Sequence, residues 1–259
     1  MKKNIPKQFK KFFRLIEKKI VYVRYFLTCS INKYFRRDQL LKREKIHIGC
    51  GDIRVDGFTN IDYRPTGATD ITMNCVDLNY FPANSLSMIY SNSFFEHLYR
   101  DERLPALKSY LNVLKKDGML IMLGIPDFNK IANAYLSKKP GVFSKIFDAN
   151  EVYRLTHGDP EQAPTWWLQQ LHKSIFDIPT VEKLLQQAGF KTYTIFNNYY
   201  QDLNVSLSIG FVAVKKKVTF PINKDWLQEN IPKLNSNVAK KSIKVSIVKS
   251  DNEKFKNNI

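Results

Sequence analysis

The chain has 259 residues, room for one domain of ordinary size with appendages or for two small ones, and its 44% hydrophobic fraction excludes wholesale disorder. Forty-one Lys+Arg against 24 Asp+Glu give a net charge of +17, a balance that invites nucleic acid or an anionic membrane as partner. Split along the chain, however, residues 1–45 carry +12, residues 215–259 carry +7, and residues 46–214 carry −2. The excess belongs to the two ends, which argues against nucleic acid as the ligand of the nearly neutral middle.

The predicted organisation is a basic helical extension over 1–45, a domain over 46–215 and a basic, partly ordered extension over 216–259. In the first, Phe9, Phe13, Ile16, Ile20, Val23 and Leu27 recur at helical spacing with Lys and Arg between them. Such a helix packs on a neighbouring domain or second subunit, or lies on an anionic membrane surface. It contains no signal-peptide h-region, no window approaches 18 apolar residues, and Cys29, Cys50 and Cys75 form no C-x-x-C pair. These features exclude a membrane span, a disulfide framework and a cysteine zinc site, and suit a cytoplasmic protein.

From residue 46 strand and helix patterns alternate. Strands are predicted over Ile46–Ile48, Phe58–Asp62, Ile71–Val76 and Leu86–Ser91. A helix follows over Glu102–Lys116 with Gly118 as its left-handed stop, then an apolar strand over Met119–Ile125. Residues 127–176 read as an irregular acceptor-side insert, with a helix at Phe128–Leu136. A helix runs from Pro179 to Gly189, and Lys191–Phe196 with Val205–Val214 form a closing antiparallel pair. Beyond Lys217 the Lys-, Asn- and Ser-rich composition reads as a poorly ordered tail. The expected fold class is α/β and Rossmann-like: a mainly parallel sheet with a closing antiparallel strand and helices on both faces.

Sheets of this kind bind ligands at the carboxyl ends of their strands. Gly49-Cys50-Gly51 follows the first strand, where glycines allow close backbone approach, and Asp62 ends the second, where a carboxylate suits a ribose. Asp77 follows the third, and Ser91-Asn92 with Glu96-His97 follow the fourth. Each has an ordinary alternative as a turn or cap residue; four polar sites at successive strand ends make a pattern.

That ordered set resembles the class I S-adenosylmethionine-dependent methyltransferases. It is carried by Ile46-His47-Ile48-Gly49-Cys50-Gly51, Asn60-Ile61-Asp62, Asp77-Leu78, Met88-Ile89-Tyr90-Ser91, Phe95-Glu96-His97-Leu98, Gly124-Ile125-Pro126-Asp127 and His172-Lys173-Ser174-Ile175-Phe176 before Ala188-Gly189-Phe190. The resemblance implies S-adenosylmethionine as methyl donor. Gly49, Cys50 and Gly51 would pass under its amino-acid moiety, Asp62 would hold the ribose, Asp77 and Leu78 the adenine, and Ser91 with Asn92 would flank the methionine portion. Two departures stand out. Asp117 and Met119 replace Pro and the second Gly of the usual Lys-Pro-Gly-Gly turn, and only residues 52–61 separate Gly51 from Asp62. The short connection resembles a bacterial subgroup often found in capsule and other cell-surface glycan pathways.

Methyl transfer to a hydroxyl needs alignment, exclusion of water and a place for the proton. His97 is the first candidate base, with an orienting role as its alternative; Asp127 and His172 are the second candidates, Asp127 standing where a helix N-cap is expected. Asp127, His157, Asp159 and His172 lack ligand spacing, so no metal is expected. The expected function is methyl transfer to a small-molecule, nucleotide-linked or glycan acceptor. An RNA or protein methyltransferase and a non-catalytic membrane-associated subunit are the alternatives.

Overall fold

Eight strands form one sheet in the order β3-β2-β1-β4-β5-β7-β6-β8 in the computed structural model. It describes residues 16, 19–21, 23, 24, 26–28, 30, 31, 39, 40, 42–142, 144–158, 170–199, 206–216, 222–234 and 244–250. The strands are β1 (Lys45–Ile48), β2 (Thr59–Asp62), β3 (Ile71–Thr72), β4 (Leu86–Asn92), β5 (Leu114–Pro126), β6 (Thr192–Tyr199), β7 (Ser208–Val214) and β8 (Lys244–Ser250). β3, β2, β1, β4 and β5 are mutually parallel; β7 runs antiparallel between β5 and β6, and β8 antiparallel along β6. This is the Rossmann-like, mainly parallel sheet expected, extended by one strand.

Alternation along the central strands divides the core into two layers. Leu120 and Met122 of β5, with Ile209, Phe211 and Ala213 of β7, face one layer. It is roofed by helices α1 (Arg103–Val113) and α4 (Ile178–Ala188). Ile121, Leu123, Val212 and Val214 face the other side and pack on Leu227 and Ile231 of α5 (Lys224–Leu234). Two further helices, α2 (Phe128–Leu136) and α3 (Ala149–His157), stand over the β5 end of the sheet with a small cluster of their own around Ile131 and Phe147.

Several sequence expectations are corrected. The helix over 102–116 stops at Val113, and Gly118 is not left-handed. Leu114 is fully buried and pairs with Leu86, so strand pairing claims the stretch that also fits a helical stripe. β3 keeps only Ile71–Thr72 because it is the sheet edge, with β2 as its single neighbour. The insert contains α3, capped by Asp148, whose carboxylate accepts from the amides of Asn150 and Glu151. The region beyond Lys217 contains α5 and β8, where a poorly ordered tail was expected. The described residues among 16–31 are all helical, and Ile20, Val23 and Leu27 are exposed. Phe9 and Phe13 of that predicted stripe lie outside the described residues. No helix among the described residues is long and apolar enough to cross a membrane.

Candidate active site

A cavity of about 410 Å³ opens at the carboxyl ends of β1, β2 and β4, within the size range of small-ligand sites. Its floor is the turn after β1. Gly49 (φ 62°) and Gly51 (φ 53°) both adopt left-handed conformations. A Cβ on Gly49 would lie 2.6–2.9 Å from the Phe94 side chain, so that glycine lets the turn seat against Phe94. A Cβ on Gly51 would meet only the Arg64 guanidinium, at 3.8 Å. That position is a cradle whose open side faces the cavity.

Asp62 lines the cavity opposite. Its Oδ2 accepts from the Gly51 amide at 2.7 Å and its Oδ1 from the Arg64 amide at 2.8 Å. A carboxylate has about four acceptor positions, so a pair remains for a ligand. The unusually short β1–β2 link is a chain of turns without a helix: Ile53 bonds back to Cys50 and Phe58 to Val55. It is held from beneath by Asn60, whose Oδ1 accepts from the Val55 amide at 2.9 Å and bonds His47 Nδ1 at 3.1 Å. Burial pushes the pKa of His47 down to about 4. Burial also raises the Cys50 thiol far above its usual range, so it is no nucleophile.

The other predicted donor residues divide. Gly49, Cys50, Gly51, Asp62 and Asn92 line the cavity. Ser91 does not: its hydroxyl donates to the Ile48 carbonyl at 2.9 Å and ties β4 to β1. Asp77 and Leu78 do not either. Asp77 caps its own turn through the Asn79 amide (2.8 Å) and accepts from Ser109, while Leu78 is fully buried in the core. The wall expected from them is built instead by Asn74, Cys75 and Val76, which the shortness of β3 leaves free to turn inward.

Of the predicted acid–base residues, His97 lines the cavity, at the end of a 3₁₀ turn over Phe95–His97. Asp127 does not. It is buried and caps α2, accepting from the Asn129 amide at 3.0 Å with Lys130 Nζ 3.5 Å away. His172 stands beside His97, ring centroids 5.1 Å apart. The segment carrying it is stitched to the 3₁₀ turn: the Lys173 amide donates to the Glu96 carbonyl at 2.8 Å, and the Ser174 hydroxyl donates to the Leu98 carbonyl. Arg103 Nε donates to the Ser174 hydroxyl at 2.7 Å and its guanidinium lies over the Phe176 ring. This docking brings Gln170 and Lys173 to the cavity; Lys173 belongs to the His172–Phe176 motif but has no role assigned to it there, and no local sequence signal marks Gln170. His157 is engaged with Thr156 and stacked on Tyr153; Asp159, Trp166 and Trp167 lie outside the described residues.

No family model matches the chain, and no curated protein matches it. Among solved structures it is similar to a SAM-dependent methyltransferase from Archaeoglobus fulgidus, with 14% identity, 79% of this chain and 100% of that one covered, and a TM-score of 0.43. It is similar to another from Methanosarcina mazei, with 16% identity, coverage of 71% and 99%, and a TM-score of 0.43. A third, from Thermotoga maritima, carries the description possible histamine N-methyltransferase; it has 16% identity, coverage of 79% and 98%, and a TM-score of 0.42. These likenesses are loose.

Proposed function

We propose that the chain is an S-adenosylmethionine-dependent methyltransferase acting on a hydroxyl of a small-molecule, nucleotide-linked or glycan acceptor. The observation that carries this reading is the unit of Gly51 and Asp62: a left-handed glycine cradle hydrogen-bonded to an acid at the next strand end, both facing one cavity. When bound, the donor supplies a methyl group activated by a sulfonium. Gly49–Gly51 would hold its amino-acid portion by backbone approach, and Asp62 would accept from ribose hydroxyls. The half-buried Val76 and Phe94 offer apolar faces to its base and chain.

The protein's own work is alignment and exclusion of water. The acceptor would enter beside His97, between the 3₁₀ turn and the docked segment 170–174, and its deprotonation belongs at that end. Asp52, Asp62 and Glu102 outnumber Arg64 and Lys173 around the cavity, a lining that suits a small acceptor better than a polyanion. The sequence resemblance to the short-crossover subgroup makes a cell-surface glycan precursor our choice of acceptor class, methylated in the cytoplasm. Residues 1–45 would then rest on an anionic membrane face or on a second copy of the chain. Calorimetric titration with S-adenosylhomocysteine tests the donor: a saturable micromolar isotherm supports the reading, and no heat at high micromolar concentration sinks it.

A further inference from the structure

We propose that Glu96, His97 and His172 form a site for one divalent first-row transition ion of the zinc class, beside the cavity that His97 lines. One potential ligand atom from each of the three lies within 4.8 Å of the others. A tetrahedral ion with bonds of about 2.1 Å separates its ligand atoms by about 3.4 Å, so small side-chain rotations close the set around it.

Two further observations point to a ligand. The first is the state of the imidazoles. His97 Nδ1 lies 3.1 Å from the Leu171 carbonyl, and His172 Nδ1 lies 2.9 Å from the Leu155 carbonyl. A carbonyl only accepts, so both Nδ1 atoms carry the hydrogen, and in the neutral ring Nε2 is then the atom that carries the lone pair. Backbone carbonyls that fix the tautomer and orient the ring are the usual outer partners of metal-bound histidine. The second is Glu96. Its side chain is 1% exposed, His97 Nε2 is 4.0 Å from its Oε1, and its Oε2 has no hydrogen-bond partner. A buried carboxyl with an unsatisfied oxygen is costly, and a cation held by this group would offset that cost.

The backbone holds the set in place. Glu96 and His97 sit on the 3₁₀ turn, and His172 on the segment stitched to it through Lys173 and Ser174. The Lys173 ammonium is engaged with the His97 carbonyl at 3.2 Å and with the Tyr99 ring. Two imidazoles and one carboxylate with no thiolate suit zinc and its neighbours over magnesium or calcium. Three protein ligands leave a position for an oxygen ligand, the pattern of a catalytic site and not of a closed structural one. A hydroxyl of the acceptor is the ligand that position would take. That role rests on the methyl-transfer reading; ion binding does not.

The test is titration of the full chain, stripped with chelator, with Zn²⁺ by calorimetry and with Co²⁺ by visible absorption, with no methyl donor present. The expected result is one equivalent bound with micromolar or tighter affinity and a Co²⁺ d–d spectrum of low coordination number. His172→Gln and Glu96→Gln should each weaken binding at least about tenfold, and His157→Gln should leave it unchanged. If His172→Gln does not fold by circular dichroism, His97→Gln and Glu96→Gln decide. No saturable binding below about 100 μM, or binding indifferent to all three ligand substitutions, overturns the proposal. Because donor affinity is measured separately, the site and the methyltransferase reading fail independently.

Discussion

The amide of Gly51 and the Oδ2 of Asp62 are 2.7 Å apart, which makes the turn after β1 and the end of β2 a single hydrogen-bonded unit. Asp62→Ala removes the acceptor of two backbone amides and the proposed ribose ligand together. Affinity for S-adenosylhomocysteine should fall at least about tenfold while the far-ultraviolet spectrum is kept, since lost hydrogen bonds of this kind cost about 1–3 kcal/mol. Unchanged affinity in calorimetry would remove Asp62 from the site.

The two glycines beside it should separate folding from binding. Gly49→Ala places a Cβ 2.6 Å from Phe94 in a left-handed residue and should lower stability by about 2–4 kcal/mol in urea unfolding. Gly51→Ala has the space, so it should cost only about 1 kcal/mol of backbone strain and yet fill the cradle. A stable Gly51→Ala protein that binds donor normally would show that the cradle is not used.

Asp127 separates a cap from a base. Asp127→Asn keeps an acceptor for the Asn129 amide and removes only the charge, so turnover should stay within about twofold of the parent. Asp127→Ala should cost about 1 kcal/mol of stability through the lost N-cap. A loss of turnover of about a hundredfold in the Asn variant, on the scale of general-base removal, would return Asp127 to the chemistry.

His47 predicts an acid limb of the stability curve. Its folded pKa is about 4 against an ordinary 6.5 because burial disfavours the imidazolium. The unfolded chain therefore takes up the proton first, and stability falls as pH drops from about 6.5 toward about 4, by about 3 kcal/mol in all. Above that window the group contributes no slope. Denaturant titrations across the window should show the fall in the parent and a flatter line in His47→Gln.

Much of the sheet was legible because buried parallel strands are short apolar runs, and the strand ends that bear Gly49–Gly51, Asp62, Asn92 and His97 could be inspected in turn. The errors have physical causes. Leu114 fits a helical stripe and a strand equally, and only pairing with Leu86 decides. Asp77 was placed by its position after a strand, but β3 ends four residues earlier than Val76 and the chain turns the preceding residues inward. Asp148 with Glu151 three residues on is an N-terminal helix signature that the polar composition of the insert obscured. The convergence of Glu96 with His172 arises from tertiary docking and leaves no periodic trace in the sequence.

The Lys- and Asn-rich composition also hid α5. Asn223 accepts from the Trp226 amide at 2.9 Å to open it, and Ile222, Leu227 and Ile231 are buried. Leu227→Ala should destabilise the whole domain by about 2–5 kcal/mol, read as a shift of the single unfolding transition. A shift within error would make α5 an ornament.

The same packing bears on the basic carboxyl end. α5 shields Tyr90, Ile121, Val212 and Val214 on one face of the sheet, so it cannot peel away to seek a partner without wetting the core layer on that face. The charges of the helix itself cancel, Lys224 and Lys233 against Asp225 and Glu229, so the basic excess of this end lies outside α5.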